Sequence, residues 1–245
     1  MKQPHIALDE SLGIKYAILP GDPARVDRIA AHLEDVTDLG MNREYRSICG
    51  TYHGVRVLAM STGMGGCSMA IAVEELRNIG VEAAIRIGSC GALQTGIALG
   101  DLILVNGAVR DDGASKAYVD VRYPAVAETK LLCACINSAK ALGCRHHVGL
   151  AHSHESFYHE ENDAESEYWS RKGVLGADME TAALFTVGRL RGIKAASILN
   201  NVVVWGEDTA DAIGGYADGE DLTAKGERNE ILTALEAFVR MEEAK

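Results

Sequence analysis

The chain has 245 residues, 47% of them hydrophobic and 24% charged, a composition that suits a globular domain able to bury a substantial core. Its 35 Asp and Glu outweigh 24 Lys and Arg, leaving a formal charge of −11. That acid excess excludes a surface built to bind DNA, RNA or an anionic membrane, whereas a small anion, which feels only its local site, is not excluded.

Short apolar strand-like runs alternate with helical periods along the whole chain. Residues 1–11 are polar, without an apolar segment or cleavage pattern, so no signal peptide is expected. Residues 16–19 read as a strand and Pro20-Gly21-Asp22-Pro23 as a turn, with Pro23 opening a helix to about Leu33. Residues 43–52 and 55–60 flank His53-Gly54 as a hairpin. The uncharged run 57–73 is broken by Gly63, Gly65 and Gly66, which argues against a membrane span. Met69, Ala72, Val73, Leu76 and Ile79 have helical spacing, with Gly80 as the stop. Strands are expected at 83–87, 102–109 and 147–151, with a helix at 130–142 between the last two. A polar helix at 163–172, an apolar helix at 179–190, a Val-rich buried strand at 194–205 and an amphipathic closing helix at 221–243 complete the chain. No linker, repeat or low-complexity segment interrupts it. The pattern predicts one α/β domain over residues 1–245, with a sheet between helices. The six cysteines are scattered without a disulfide framework, as in a cytosolic protein with reduced thiols, and a cytoplasmic location follows.

Four glycine segments are expected after strands: 20–23, 61–66, 88–91 and 173–176. Glycine there either shapes a turn or lets backbone N–H groups approach an anion. Neither a full G-x-G-x-x-G nor a P-loop is present. Arginines stand beside these segments. Arg25 falls on the first turn after Gly21-Asp22-Pro23, Arg86 ends an apolar strand just before Gly88-Ser89, and Arg43 sits in Asn42-Arg43-Glu44-Tyr45. A guanidinium fork suits phosphate oxygens, and internal salt bridges to Asp22, Glu44 or Glu74 are the other reading. Cys144, His146, His147, His152, His154 and His159 crowd one stretch. These are either zinc ligands or solvated histidines at a strand edge. The absence of a motif such as H-E-x-x-H favours the latter, and no metal is expected.

Gly21-Asp22-Pro23-x-Arg25, Asn42-Arg43-Glu44-Tyr45, Ser61-Thr62-Gly63-Met64-Gly65, Arg86-Ile87-Gly88-Ser89-Cys90-Gly91 and Met179-Glu180 occur in that order. Together they resemble the hexameric branch of the nucleoside phosphorylases, which contains uridine phosphorylases and trimer-of-dimers purine nucleoside phosphorylases. The resemblance runs from about His5 to Leu190. It implies a three-layer α/β/α sandwich around a mixed, partly barrel-like sheet. The activity it implies is a pentosyltransferase reaction: nucleoside plus phosphate gives free base plus pentose 1-phosphate, with inorganic phosphate as co-substrate and no cofactor.

By matched position, Gly21, Arg25, Arg86 and Ser89 hold phosphate, and Arg43 reaches a neighbouring subunit's phosphate site. His5 enters that neighbour's ribose pocket. Met64 and Met179 line the ribose, and Glu180 holds its 2′- and 3′-hydroxyls. Phe157 packs on the base, with Tyr158 and His159 beside it. Arg86 and Glu180 are the residues closest to the chemistry. Without the resemblance, Glu180 reads first as a helix N-terminal acid, Phe157 and Tyr158 by default as core aromatics, and the methionines equally as core filler.

Base recognition departs from both branches. Neither the Ser-Asp pair of purine members nor the Gln and Arg of uridine members is present; the corresponding stretches are Asn200 to Asp208 and His159-Glu160-Glu161-Asn162-Asp163. Arg110 to Ser115, Tyr123 to Ala127 and Met179 to Phe185 lean toward uridine phosphorylase. His159, Glu160, Glu207 and Asp208 are candidate substitutes for base contact, the acids at 207–211 otherwise forming a solvated loop. The expected substrate is uridine or a related pyrimidine nucleoside. A purine nucleoside phosphorylase is the alternative, ahead of a nucleosidase or a nucleoside-binding protein. The resemblance also implies a hexamer assembled as a trimer of dimers.

Overall fold

The computed structural model describes residues 1–206 and 221–244. Ten strands form one mixed sheet: β1 (Tyr16–Pro20), β2 (Glu34–Asn42), β3 (Tyr45–Tyr52), β4 (Val55–Met60), β5 (Ala83–Ala92), β6 (Leu102–Arg110), β7 (Ala125–Val126), β8 (His146–Ser153), β9 (Gly176–Asp178) and β10 (Lys194–Val203). The order is β10-β6-β8-β9-β5-β1-β4-β3-β2, and β10 also pairs with β5. Strands β5, β9, β8, β6 and β10 thus close into a ring, the barrel-like part of the sheet.

Seven helices are described: α1 (Pro23–Ala30), α2 (Gly66–Asn78), α3 (Gly113–Tyr118), α4 (Thr129–Ala141), α5 (Asn162–Ser170), α6 (Thr181–Arg191) and α7 (Asp221–Glu243). The two-residue period of the strands divides the core between the faces of the sheet. Ala17, Leu19, Ala84 and Leu199 point to the side of α2 and α6. Tyr16, Ile18, Ile85, Ile87 and Ile198 point to the side of α1, α4 and α7. This is the three-layer α/β/α sandwich that the resemblance implies.

Several local signals act as expected. Asp22 caps α1 by accepting from the Ala24 N–H, with Pro23 in the first turn. His53 and Gly54 both take the positive φ of a tight hairpin turn, 46° and 81°. Gly80, Gly143 and Gly192 follow α2, α4 and α6 in left-handed geometry.

Other expectations need correction. Helix α1 stops at Ala30, α6 begins only at Thr181, and β10 ends at Val203. Arg43 is not in the strand but in the turn joining β2 to β3, at φ 54°. The segment 88–91 is no turn: it lies inside β5, paired with β10 and β9. Gly173 to Gly176 follows α5 rather than a strand. Edge strand β2 is exposed along most of its length, so no alternation marked it. The three-residue β9 is too short to carry a period.

Helix α7 lies tightly against the sheet. A methyl group at Gly226 would sit 2.7 Å from the Gly100 Cα and clash with Asn200 Oδ1. Asn200 in turn donates to the Thr223 carbonyl at 2.9 Å. Gly226→Ala should therefore lift the helix and cost about 1–3 kcal/mol, readable as a lower midpoint in urea with unchanged slope.

Candidate active site

Parallel strands β1, β4 and β5 end side by side, and their carboxyl ends bring the glycine segments together. Thr62 N–H donates to the Pro20 carbonyl at 2.9 Å and Gly63 N–H to the Gly21 carbonyl at 3.0 Å. A Cβ on Gly21 would meet the Gly63 carbonyl oxygen at 3.1 Å, so glycine permits this approach.

Arg86 lies in β5 between Leu19 of β1 and Ser197 of β10, and only 4% of it is exposed. Its guanidinium folds back over Gly88, where a methyl group would come within 2.6 Å of Nη2. Gly88 is thus needed for space rather than for a turn. Arg86 Nε donates to Asp178 Oδ2 at 2.9 Å, and Nη2 lies 2.6 Å from Glu180 Oε2. The other Glu180 oxygen accepts from the Gly65 N–H at 2.5 Å.

Glu180 stands at the N-cap position of α6, but its side chain accepts no hydrogen bond from the helix amides. It is therefore not a helix-capping acid: its charge is committed to Arg86 and to the 61–66 loop. Burial pushes its carboxyl above the ordinary value, Arg86 pulls it down, and the neighbouring Asp178 charge adds to the rise. Burial would also raise Asp178, but Arg86 and hydrogen bonds from Ser153 and Thr181 outweigh it and hold that carboxylate below its usual range. The resulting network runs from Ser153 Oγ at 2.6 Å through Asp178 to Thr181 Oγ1 at 2.5 Å, and on to Ser197 Oγ at 2.8 Å.

Arg25 reaches the same strand end from the opposite face. Its Nη2 donates to Ser89 Oγ at 3.3 Å and its Nε to Glu227 Oε2 at 2.9 Å. Nη1 stands 3.4 Å from Glu230 Oε1. Glu227 is shared with Arg28, which also holds Asp22. Among the described residues, Arg25 forms its ion pairs with two carboxylates of α7, whereas one reading of the sequence offered Asp22, Glu44 or Glu74. Glu44 is held by Ser68, and Glu74 by Arg191.

The structure therefore brings Gly21, Arg25, Arg86, Ser89 and Glu180 to one place. Among the described residues, no hydrogen bond or ion pair joins His5 or Arg43 to these five. Arg43 is exposed, and among the described residues it forms no ion pair. The adjacent Asn42 donates to the His5 carbonyl at 2.6 Å, which ties these two candidates into one patch. The His5 ring is anchored 2.6 Å from Glu75.

Met64 is 86% exposed, and Met179 is half-buried beside Glu180. Phe157 and Tyr158 are not core aromatics: Phe157 is half-buried, Tyr158 is 84% exposed, and their rings meet edge-on at 4.7 Å. His159 lies 3.5 Å from Glu165 and lines a pocket of about 290 Å³ with Asp111, Lys116, His154 and Glu155. That pocket adjoins the Arg86 network, since the His154 N–H donates to the Asp178 carbonyl at 3.0 Å. Glu160 is exposed. Glu207 and Asp208 lie outside the described residues.

The remaining histidines are held in separate pairs. His152 is 3.0 Å from Asp111 and His147 is 3.1 Å from Asp101, while His146 and His154 bond backbone carbonyls. Among the described residues no group of three or more His, Cys, Asp or Glu could hold a metal ion. All six cysteines are free, and Cys49, Cys90, Cys135 and Cys144 are buried. No described helix is long and apolar enough to cross a membrane.

Chemically, two buried guanidiniums and a serine hydroxyl are donors of the kind a tetrahedral anion takes, and the carboxylate beside them is an acceptor for hydroxyl groups. A family profile described as the phosphorylase superfamily matches residues 15–234. The chain belongs to that superfamily. Among its phosphorylase relatives, the chain is 39% identical to a guanosine phosphorylase of Halorubrum lacusprofundi over 86% of this chain and 88% of that one. It is 40% identical to a uridine phosphorylase of Thermococcus kodakarensis over 80% and 75%. In three dimensions it matches the uridine phosphorylase of Vibrio fischeri with a TM-score of 0.90 and 46% identity over 98% of both chains. The purine nucleoside phosphorylase of Toxoplasma gondii also gives a TM-score of 0.90, at 29% identity over 100% and 98%.

Asp178, Glu227 and Glu230 are the site residues that sequence reasoning missed. Asp178 was signalled only by its spacing of two from Glu180. The α7 acids had no local signal, because they meet Arg25 across some two hundred residues of chain.

Proposed function

We propose that this chain catalyses the phosphorolysis of a nucleoside, uridine or a related pyrimidine nucleoside, to free base and pentose 1-phosphate. The observation that carries this reading is the convergence of Arg25, Arg86 and Ser89 on the end of β5, with Glu180 held against Arg86. Identities of 36–40% to several uridine phosphorylases, and 46% to the Vibrio fischeri enzyme over its whole fold, support the pyrimidine choice.

In this reading phosphate sits between Arg25, Arg86, Ser89 and the Gly21 backbone, under the sugar. Cleavage of the glycosidic bond develops positive charge on the pentose and negative charge on the base. The phosphate stabilises the first while acting as nucleophile, so the protein positions groups and screens charge without forming a covalent bond itself. Glu180 accepts from the 2′- and 3′-hydroxyls, Met64 and Met179 pack on the ribose, and Phe157, Tyr158 and His159 flank the base. Glu207 is a further candidate for base contact.

Arg43 and His5 serve a neighbouring copy in a hexamer built as a trimer of dimers, which their shared surface patch supports. Inorganic phosphate is the co-substrate, no further cofactor takes part, and the enzyme works in the cytoplasm as one domain over residues 1–245. The 39% identity to a guanosine phosphorylase favours purine nucleosides as the second reading.

A panel of uridine, thymidine, inosine, adenosine and guanosine, each with and without phosphate, tests both. Phosphate-dependent release of uracil faster than of hypoxanthine is the expected result. Faster release from inosine overturns the pyrimidine assignment, and base release that never depends on phosphate overturns phosphorolysis.

A further inference from the structure

Among the described residues, buried carboxylates outnumber buried guanidiniums at the end of β5, with the half-exposed Arg28 also pairing with Glu227. Two buried guanidiniums, Arg25 and Arg86, face four buried carboxylates: Asp178, Glu180, Glu227 and Glu230. Glu230 is the most enclosed of the α7 acids, with none of its surface exposed. Its Oε2 accepts from the Gly88 N–H at 3.1 Å, inside the segment that carries Ser89. Its Oε1 is buried without a hydrogen bond and stops 3.4 Å short of Arg25 Nη1. One carboxyl group of the closing helix therefore touches both halves of the anion cradle, the arginine from α1 and the backbone of β5.

We propose that Glu230 is a positioning residue of the phosphate site: its carboxyl group aligns Arg25 and the Gly88 amide, and its protonation governs how tightly that cradle holds the anion. The proposal rests on the phosphorolysis reading. With a proton, Glu230 supports the Gly88 N–H and leaves the charge of Arg25 to the incoming phosphate. Without it, the carboxylate binds Arg25 itself and repels a dianion. The groups facing it are Arg25 from α1, Arg86, Cys90 and the Gly88 N–H from β5, and Glu227 on its own helix. Burial, with Glu227 adding repulsion, pushes the carboxyl up to about 8 against the pull of Arg25 and Arg86. Cys90 is raised well above its ordinary value by burial and does not titrate in the same range.

The test compares wild type with Glu230→Gln, which keeps the neutral shape, and Glu230→Asp, which keeps the ionisable group. Inorganic phosphate is the probe. Its affinity is read in two ways from about pH 7.5 to 9.5: as the phosphate KM at saturating nucleoside, and, without nucleoside, as the rise in Tm it causes. In wild type and Glu230→Asp the affinity should fall roughly tenfold across that range. In Glu230→Gln it should stay flat across the same range. A Glu230→Gln protein that loses affinity with pH as wild type does overturns the proposal and leaves phosphorolysis intact. So does one that folds but binds phosphate far more weakly at every pH. Absence of phosphate binding by wild type at all pH values removes the phosphorolysis reading and the proposal together.

Discussion

Arg86→Ala should lower kcat/KM for phosphate by roughly a thousandfold, through both a higher phosphate KM and a lower kcat. The guanidinium is buried at the end of β5, and nothing else on its face of the strand carries its charge among the described residues. Unchanged dependence on phosphate would remove Arg86 from the site. The same substitution has a cost in stability. It strands Asp178 and Glu180 as neighbouring buried carboxylates, a loss of about 3–5 kcal/mol at neutral pH.

The sign of the pH dependence follows from the two folded states. In the wild type Asp178 is held below its ordinary value, so it contributes stability above that value and loses it as the pH falls through the folded pKa. In the variant the attraction is gone and burial dominates, so both carboxyls rise and stability falls with increasing pH. The difference in Tm between the two proteins should therefore be small near pH 4 and widen toward about pH 7, a pattern that thermal unfolding at several pH values would check. A difference independent of pH would mean that these carboxylates are not what Arg86 neutralises.

The second large effect is expected at Glu180. Glu180→Gln looks conservative, yet both oxygens of this carboxylate already receive donors, Gly65 N–H on one and Arg86 Nη2 on the other. A carboxamide has one acceptor oxygen, so its NH2 must face a donor. Losing a charge-assisted contact and the grip on two ribose hydroxyls should cost about 3 kcal/mol or more in the transition state, roughly a hundredfold in kcat/KM for nucleoside. Because burial and Asp178 already raise the wild-type carboxyl, Gln also removes a titration. The acid limb of the wild-type rate profile, where Glu180 takes up its proton, should be absent from the variant. A variant with wild-type kinetics for the nucleoside would show that Glu180 serves only to hold the 61–66 loop.

Much of the scaffold could be read from local chemistry. Asp22-Pro23 sets the start of α1, His53-Gly54 sets a hairpin, and Gly192 stops α6, because caps and left-handed turns depend on one or two residues and their neighbours. The order of motifs around Gly21, Arg25, Arg86, Ser89 and Glu180 was equally legible, as was an anion site within a chain of net charge −11. The acids describe mainly the exterior; the site depends on very few basic side chains.

What the tertiary structure decided is how those charges are paired. A lone charge in an apolar strand says that a partner is required, not which one, because the pairing of Arg86 with Asp178 depends on β9 closing against β5. The exposed edge strand β2 and the three-residue β9 carry no hydrophobic period, so they exist only through the strands they pair with. Nor does amphipathicity distinguish Glu227 and Glu230 from solvated acids on a closing helix. Their burial against Arg25 and Gly88 follows from the close crossing of α7 over the sheet at Gly226 and Gly100. Local propensity thus determined the elements and the candidate ligands. Long-range packing determined the protonation and charge balance of the site, since those depend on which ionisable groups share a volume from which water is excluded.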